Sequence, residues 1–396
     1  MHGQVPAAAA LRGNPAPPGP VLTALSLLAG GGLYLLPTGV KVSSDSASYA
    51  YWSARLVESG FDYGVIVPQA QTSFPAALYA LFATLLGLLQ IAFGAYWREA
   101  LVALNLLAYT GVGVLLVRLG VRITGSGAAG WAALLLYLGC FDILHWVPFA
   151  LSDTTFIFLA FSIFSLAAAR ILGDARGWGG VAGLAAAAVF YRPTGIVLLP
   201  DLALAAWLSR LRKPLRVPAA WAALSGCAIA VAVVVFAAAM QDPARWPFGP
   251  LSRAFATVAR GYAVGEVVSG RSETFHAPPQ QLLDFVLISA DRFVHFFAPG
   301  ASHFSLGHWA VQMLFFLPCY ALAAWLVLAL CRGTTSFGAA ERKVLLAAAG
   351  AVMAYALFHA LVQVDYDWRY RLPILPHLIL LASGGVADLW RRRARR

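Results

Sequence analysis

Long apolar runs recur along the chain near 21–40, 74–94, 99–118, 127–147, 154–172, 178–191, 193–209, 217–240, 309–331, 344–363 and 372–390. A helical crossing of a bilayer needs ~20 predominantly apolar residues, and these eleven runs reach or approach that length. The pattern predicts an all-α polytopic membrane protein. Two further stretches carry a mixed pattern. Tyr49, Trp52 and Leu56 stand beside Ser48, Arg55 and Glu58, and Gln281, Asp284, Asp291 and His295 recur at helical spacing among Leu, Phe, Val and Ile of 280–298. Such patterns suit helices lying in the membrane interface.

Lys and Arg set the orientation, because short cytoplasmic loops are enriched in them. Suppose that 74–94 lies along the outer interface and that 178–209 is two short helices turning at Tyr191-Arg192-Pro193. A bundle of about ten spans, within a range of nine to eleven, then results, with both ends in the cytoplasm. Arg118, Arg122, Arg170, Arg176, Arg210, Arg212, Lys213, Arg216, Arg332, Arg342 and Lys343 all fall inside. If 74–94 crossed and 178–209 were one span, Arg192 would sit in hydrocarbon, where a charge costs at least ~2.5 kcal/mol. The first arrangement is preferred, although the pattern alone leaves open whether 74–94 crosses. It divides the chain into a disordered cytoplasmic N-terminus over 1–18, one transmembrane domain over 19–390 and a basic cytoplasmic tail over 391–396. The domain carries long outer loops at 41–98 and 241–308.

Composition sharpens this. Of 396 residues, 60% are hydrophobic and 11% charged, against roughly 45–50% and 25% in soluble domains, which excludes a soluble multidomain enzyme. The net charge is +11, but Arg391, Arg392, Arg393, Arg395 and Arg396 follow directly on an apolar run. Basic residues so placed anchor topology against anionic lipid, and no nucleic-acid partner is implied. Cys140, Cys227, Cys319 and Cys331 lack metal-ligand spacing and imply no disulfide framework. The first apolar run lacks a small-residue cleavage pattern and reads as a retained helix.

In this topology the polar groups gather at the outer helix ends: Ser43-Ser44-Asp45-Ser46, Ser152-Asp153, Tyr191-Arg192-Pro193, and Asp365 through Arg371. Simple solvation accounts for a lone carboxylate after a first span. Asp142 and Asp201 sit within apolar runs, and each must find a partner. His276, His303 and His308 match no standard metal motif.

Taken together, Ser44-Asp45-Ser46-Ala47-Ser48-Tyr49 with Ala54-Arg55-Leu56, Ala150 to Phe156, Tyr191-Arg192-Pro193-Thr194-Gly195 and Asp367-Trp368-Arg369-Tyr370-Arg371-Leu372-Pro373 resemble the GT-C glycosyltransferases. The likeness is to the protein-mannosyltransferase-like and lipopolysaccharide-sugar-transferase branches, and it covers most of 20–390. The appended soluble C-terminal domain of some members has no counterpart here. The resemblance implies a GT-C-like bundle in the cell (inner) membrane, active on the periplasmic face. It implies inverting transfer of a sugar from a polyprenyl-phosphate donor to a hydroxyl of a lipid, glycan or protein acceptor. Asp45 is then the candidate general base, and Arg369, Arg371 and Arg192 are candidates for the lipid phosphate. Asp153 would orient acceptor or sugar, share a divalent cation with Asp45, or stabilise the start of its own helix. Tyr49, Tyr191, Asp367, Tyr370 and His303 complete the candidate substrate contacts. No cofactor is firmly implied beyond that divalent cation.

Two other classes compete. A transporter or lipid-linked-sugar flippase would place polar groups near the midplane, often at interrupted helices, and the pair around Arg192 is the feature favouring it. An O-antigen ligase or polymerase typically relies on Arg and His in a large outer loop, without an essential Asp after the first span.

Overall fold

The computed structural model describes residues 14–66, 76–173, 177–211, 265, 267–268, 274–300, 304–361 and 369–394. These residues form helices and no named strand. In chain order the helices are α1 (Pro20–Thr38), α2 (Ser44–Glu58), α3 (Ala80–Phe93), α4 (Trp97–Thr124), α5 (Gly127–Leu138), α6 (Phe141–Trp146) and α7 (Asp153–Ile171). There follow α8 (Gly179–Tyr191), α9 (Leu198–Arg210), α10 (Leu282–Phe296), α11 (Leu306–Cys331), α12 (Ala339–Leu361) and α13 (Leu375–Ala394).

Among the described residues, six helical stretches are long and apolar enough to cross a membrane: Pro20–Thr38, Ala80–Thr124, Asp153–Ile171, Leu306–Cys331, Ala339–Leu361 and Arg369–Ala394. The second contains α3 and α4, separated by a break at Gly94–Tyr96 where Gly94 takes φ 55°. At ~1.5 Å per residue, the 28 residues of α4 reach ~42 Å and span the ~30 Å hydrocarbon core alone. The 14 residues of α3 reach only ~21 Å. Helices α5, α8 and α9 are shorter still, at 12, 13 and 13 residues. The apolar run 217–240 lies outside the described residues.

The chain passes back and forth between two ends of the bundle. At one end Arg391 donates to the Thr124 and Ser336 carbonyls, and Arg392 to Asp388 Oδ2 at 2.7 Å and to the Thr334 carbonyl at 2.8 Å. Lys343 donates to the Leu211 carbonyl at 2.7 Å. The ends of α4 and α9, the α11–α12 turn and the end of α13 therefore meet where Lys and Arg are dense. Residues 14–18, expected within an unstructured N-terminus, also pack here. Ser126 Oγ donates to Asn14 Oδ1 at 3.1 Å, and Trp131 Nε1 to the Ala16 carbonyl at 2.9 Å. Backbone groups with fixed partners of this kind give a Pro-rich segment a defined path.

Helix α13 is the centre of the bundle, with 89% of its apolar window buried, whereas α1 is peripheral at 17%. Gly385 permits the close approach of α13 to α11: a Cβ there would stand 2.5 Å from the Leu322 carbonyl oxygen. Small residues at such crossings are a general device of membrane bundles. Both mixed-pattern stretches are helical, as α2 and α10. Helix α10 buries Phe285, Ile288 and Phe296 and leaves Leu283, Val286, Leu287 and Val294 exposed, as an interfacial helix facing lipid requires.

Candidate functional site

The polar groups singled out in the sequence meet at the end opposite the basic cluster. Ser43 begins α2 with a reciprocal cap: its Oγ accepts from Ser46 N–H at 3.4 Å, and its own N–H donates to Ser46 Oγ at 3.1 Å. This places Asp45 in the first turn of α2, where the helix dipole favours a carboxylate. Just before it, Lys41 N–H donates to the Pro148 carbonyl and Ala150 N–H to the Lys41 carbonyl, both at 2.9 Å. Asn105 of α4 donates to the Val147 and Phe149 carbonyls at 3.2 and 2.9 Å. The strand-like stitch and the asparagine tie the segment before α2 to the segment before α7, so the two helix starts that carry Asp45 and Asp153 belong to one unit.

Each of these acids holds an arginine. Arg369 Nη1 donates to Asp45 Oδ2 at 2.6 Å, with Asp45 35% and Arg369 11% exposed. The Arg369 guanidinium lies 5.5 Å from the Trp146 ring centroid, a cation–π arrangement that limits where it can turn. Arg192 Nη1 meets Asp153 Oδ1 at 2.6 Å and donates to Ser152 Oγ at 3.2 Å, in a buried setting. Helix α8 ends at Tyr191 because Pro193 disfavours helical geometry in the residue before it, and Arg192 is extended at φ −157°, ψ 138°. The break at Tyr191-Arg192-Pro193 is therefore as the sequence predicts, and it turns the guanidinium toward α7.

Aromatic hydroxyls surround this second pair. Tyr191 OH donates to Thr155 Oγ1 at 2.5 Å, and the Tyr49 and Tyr79 rings lie 5.0 Å apart with a hydrogen bond between their hydroxyls. Burial, and then each other's proximity, lifts Tyr49 well above the usual tyrosine range, and burial lifts Tyr79. Both stay protonated and can donate. Burial acts against the charge on Arg192, but the Asp153 carboxylate beside it outweighs that and holds the guanidinium protonated.

Arg371 is occupied differently. It is buried, donates through Nε at 2.9 Å and Nη2 at 2.6 Å to Asp142 Oδ2, and reaches the Ala298 carbonyl through Nη1. Asp142 Oδ1 also accepts from Gln312 Nε2 of α11. The carboxylate embedded in the 127–147 run thus finds the partner that burial demands. That partner fastens the 3₁₀ segment Arg369–Ile374 to α6, α11 and the end of α10.

A crevice too narrow to admit a water molecule is lined by Asp153, Arg192, Thr194, Arg369 and Tyr370, with an apolar wall from Phe156, Ile157, Leu372 and Pro373. It joins candidates from three separate stretches of sequence, and Asp45 is attached to it through Arg369. Tyr49 and Tyr191 stand behind Arg192. Asp367 and His303 lie outside the described residues. Among the described residues no group of three or more His, Cys, Asp or Glu is arranged to hold a metal ion. Sequence reasoning did not single out Tyr79, Thr194 or the pairing of Asp142 with Arg371. Of these, only the buried acid in an apolar run gave a signal, since it required some partner. No protein-family model, curated protein or solved structure matches this chain.

Proposed function

We propose that this protein is a membrane-embedded glycosyltransferase that moves a sugar from a polyprenyl-phosphate donor to an acceptor hydroxyl at the outer face. The observation that carries this reading is the Arg369–Asp45 pair at 2.6 Å, half-open at the end of an apolar bundle and bordering a crevice with polar and apolar walls. The reaction needs two things at one place. A base must take the proton of the attacking hydroxyl, and a cation must meet the charge that develops on the departing phosphate.

While Arg369 occupies Asp45 Oδ2, that oxygen cannot receive a proton and the guanidinium is compensated. A lipid phosphate entering beside Arg369 competes for its bidentate donors. In this scheme Arg369 turns to the phosphate and frees Asp45. The acceptor oxygen then bonds to the anomeric carbon, the bond from that carbon to phosphate oxygen breaks, Asp45 takes the hydroxyl proton, and the phosphate leaves with the bonding electron pair. The configuration inverts because attack and departure lie on opposite sides. Arg192, held charged by Asp153, adds positive potential close by, and Arg371 keeps the Arg369–Ile374 segment in place. The apolar flanks of α1 and α11, where Leu33, Leu36, Leu306 and Leu314 are exposed, suit the donor's tail.

A flippase for the same class of lipid is the second reading, and the helix break at Arg192 favours it. Purified protein incubated with a polyprenyl-phosphate hexose and an acceptor glycolipid separates the two. Release of free polyprenyl phosphate with formation of a glycosylated product supports transfer, and movement of intact donor across a vesicle bilayer without product supports the flippase.

A further inference from the structure

The outward side of α11 is apolar until the helix ends. Leu314, Leu317, Trp325 and Leu328 are exposed along it, and Arg332, the C-terminal cap, is exposed as well. Trp325 and Arg332 are two helical turns apart and so share one side of the helix. The end of α13 lies alongside. There Arg392 sets its guanidinium 5.4 Å from the Trp325 ring centroid. It is fixed in that place by Asp388 Oδ2, which accepts from Nε at 2.7 Å, and by the Thr334 carbonyl, which accepts from Nη2 at 2.8 Å. Its side chain is still 36% exposed, and Nη1 has no acceptor among the described residues.

The charges on this surface do not balance. Asp388 is fully enclosed and answers Arg392. Arg332 makes neither an ion pair nor a side-chain hydrogen bond among the described residues. An uncompensated guanidinium and an unused donor of a second one therefore stand at the rim of a face whose other members are tryptophan and leucine.

We propose that the ends of α11 and α13 form a binding site for an anionic phospholipid, with its phosphate on Arg332 and Arg392 Nη1 and its acyl chains along Trp325 and Leu328. The site lies at the basic end of the bundle, away from the Arg369–Asp45 pair, and does not depend on the glycosyl-transfer reading. A guanidinium suits phosphate oxygens, tryptophan sits at head-group level, and basic pockets between helices at the cytoplasmic side recognise acidic head groups. A soluble anion would use the cations alone and gain nothing from the apolar side directly beneath them. A zwitterionic lipid brings its own ammonium and leaves Arg332 uncompensated.

The probes are dioleoyl phosphatidylglycerol and dioleoyl phosphatidylcholine, titrated into the full-length protein in neutral detergent and read by native mass spectrometry as the first lipid bound. The site predicts that wild type prefers phosphatidylglycerol and that Arg332→Gln lowers that preference about fivefold, the equivalent of ~1 kcal/mol per cation near a membrane surface. Arg332→Lys should keep most of it. Arg210→Gln, which removes an equally exposed cation at the end of α9, should change nothing. Wild type gives a second reading without any variant: glycerol 3-phosphate, which has the charge and no chains, should not displace the bound lipid at equal concentration. Full preference retained by Arg332→Gln overturns the site, and so does an equal loss in Arg210→Gln, which would mean diffuse attraction. Displacement by glycerol 3-phosphate at equal concentration overturns the lipid as occupant. Equal binding of both lipids by wild type also overturns it, and leaves an acidic protein segment as the partner of this surface.

Discussion

Arg369 and Asp45, 324 positions apart in the chain, meet at 2.6 Å. Neither residue can do its proposed work while it holds the other, so under the proposed function the pair is a resting state that donor phosphate opens. Asp45 keeps 35% and Arg369 11% of its side chain exposed, so an entering anion can reach the pair. The donor's phosphodiester carries the same single negative charge as the carboxylate, and its two non-bridging oxygens offer the guanidinium an equally well-shaped bidentate partner.

The first prediction follows from that competition. Arg369→Ala should weaken binding of a polyprenyl-phosphate donor by about 1.5–3 kcal/mol, the worth of a charged hydrogen bond, and leave binding of an acceptor analogue nearly unchanged. Arg369→Lys should recover only part of the loss, because an ammonium lacks the planar fork. Calorimetric titration of both ligands checks this. Unaltered donor affinity in Arg369→Ala would move the phosphate site elsewhere.

The second concerns Asp142 and Arg371, which are buried and bonded through two guanidinium nitrogens. Removal of one partner leaves an uncompensated buried charge, at a cost of about 3–5 kcal/mol. Asp142→Ala and Arg371→Ala should each lower the thermal unfolding temperature sharply. The paired replacement Asp142→Leu with Arg371→Met should be much milder than the sum of the two. Additive losses in that double-variant cycle would show that the two side chains are not coupled.

The all-helical, membrane-spanning character and the break in the chain at Arg192 were legible from apolar run length and from Pro193, because both are local, whereas run length gave about ten spans and the described residues hold six stretches long enough to cross. So was the gathering of Asp45 and Asp153 at outer helix ends, which the placement of the apolar runs implies. The partners were not legible. Arg371 meets Asp142 across 229 positions, and which arginine reaches which acid is decided by how α6, α11 and the segment before α13 pack, a matter that no periodicity records. Arg371 illustrates the consequence. By sequence it is as good a phosphate ligand as Arg369, and in the fold its donors are engaged with Asp142 and the Ala298 carbonyl. The packing of residues 14–18 against the start of α5 was equally hidden, because it uses the Ala16 carbonyl and the Asn14 side chain, neither of which any periodicity marks.

Topology gives a third prediction. The Lys and Arg cluster and the acid–arginine pairs lie at opposite ends of the bundle, and positive residues mark the cytoplasmic side. In a cysteine-free background, Val42→Cys and Tyr96→Cys should both react with an impermeant thiol reagent added outside intact cells. Ala339→Cys should react only after permeabilisation. Labelling of Tyr96→Cys from the cytoplasmic side alone would mean that α3 crosses the membrane and that the order of spans must be redrawn.

The central claim is that Asp45 takes the acceptor's proton. The most direct measurement is single-turnover transfer from undecaprenyl-phosphate hexose by wild type and Asp45→Asn, alongside donor affinity and thermal stability for both. Asparagine keeps the size and hydrogen-bonding reach of the side chain but cannot serve as the base. The account predicts intact folding and donor binding with turnover reduced roughly 10²–10⁴-fold, the usual contribution of a general base. Turnover by Asp45→Asn at the wild-type rate would contradict it.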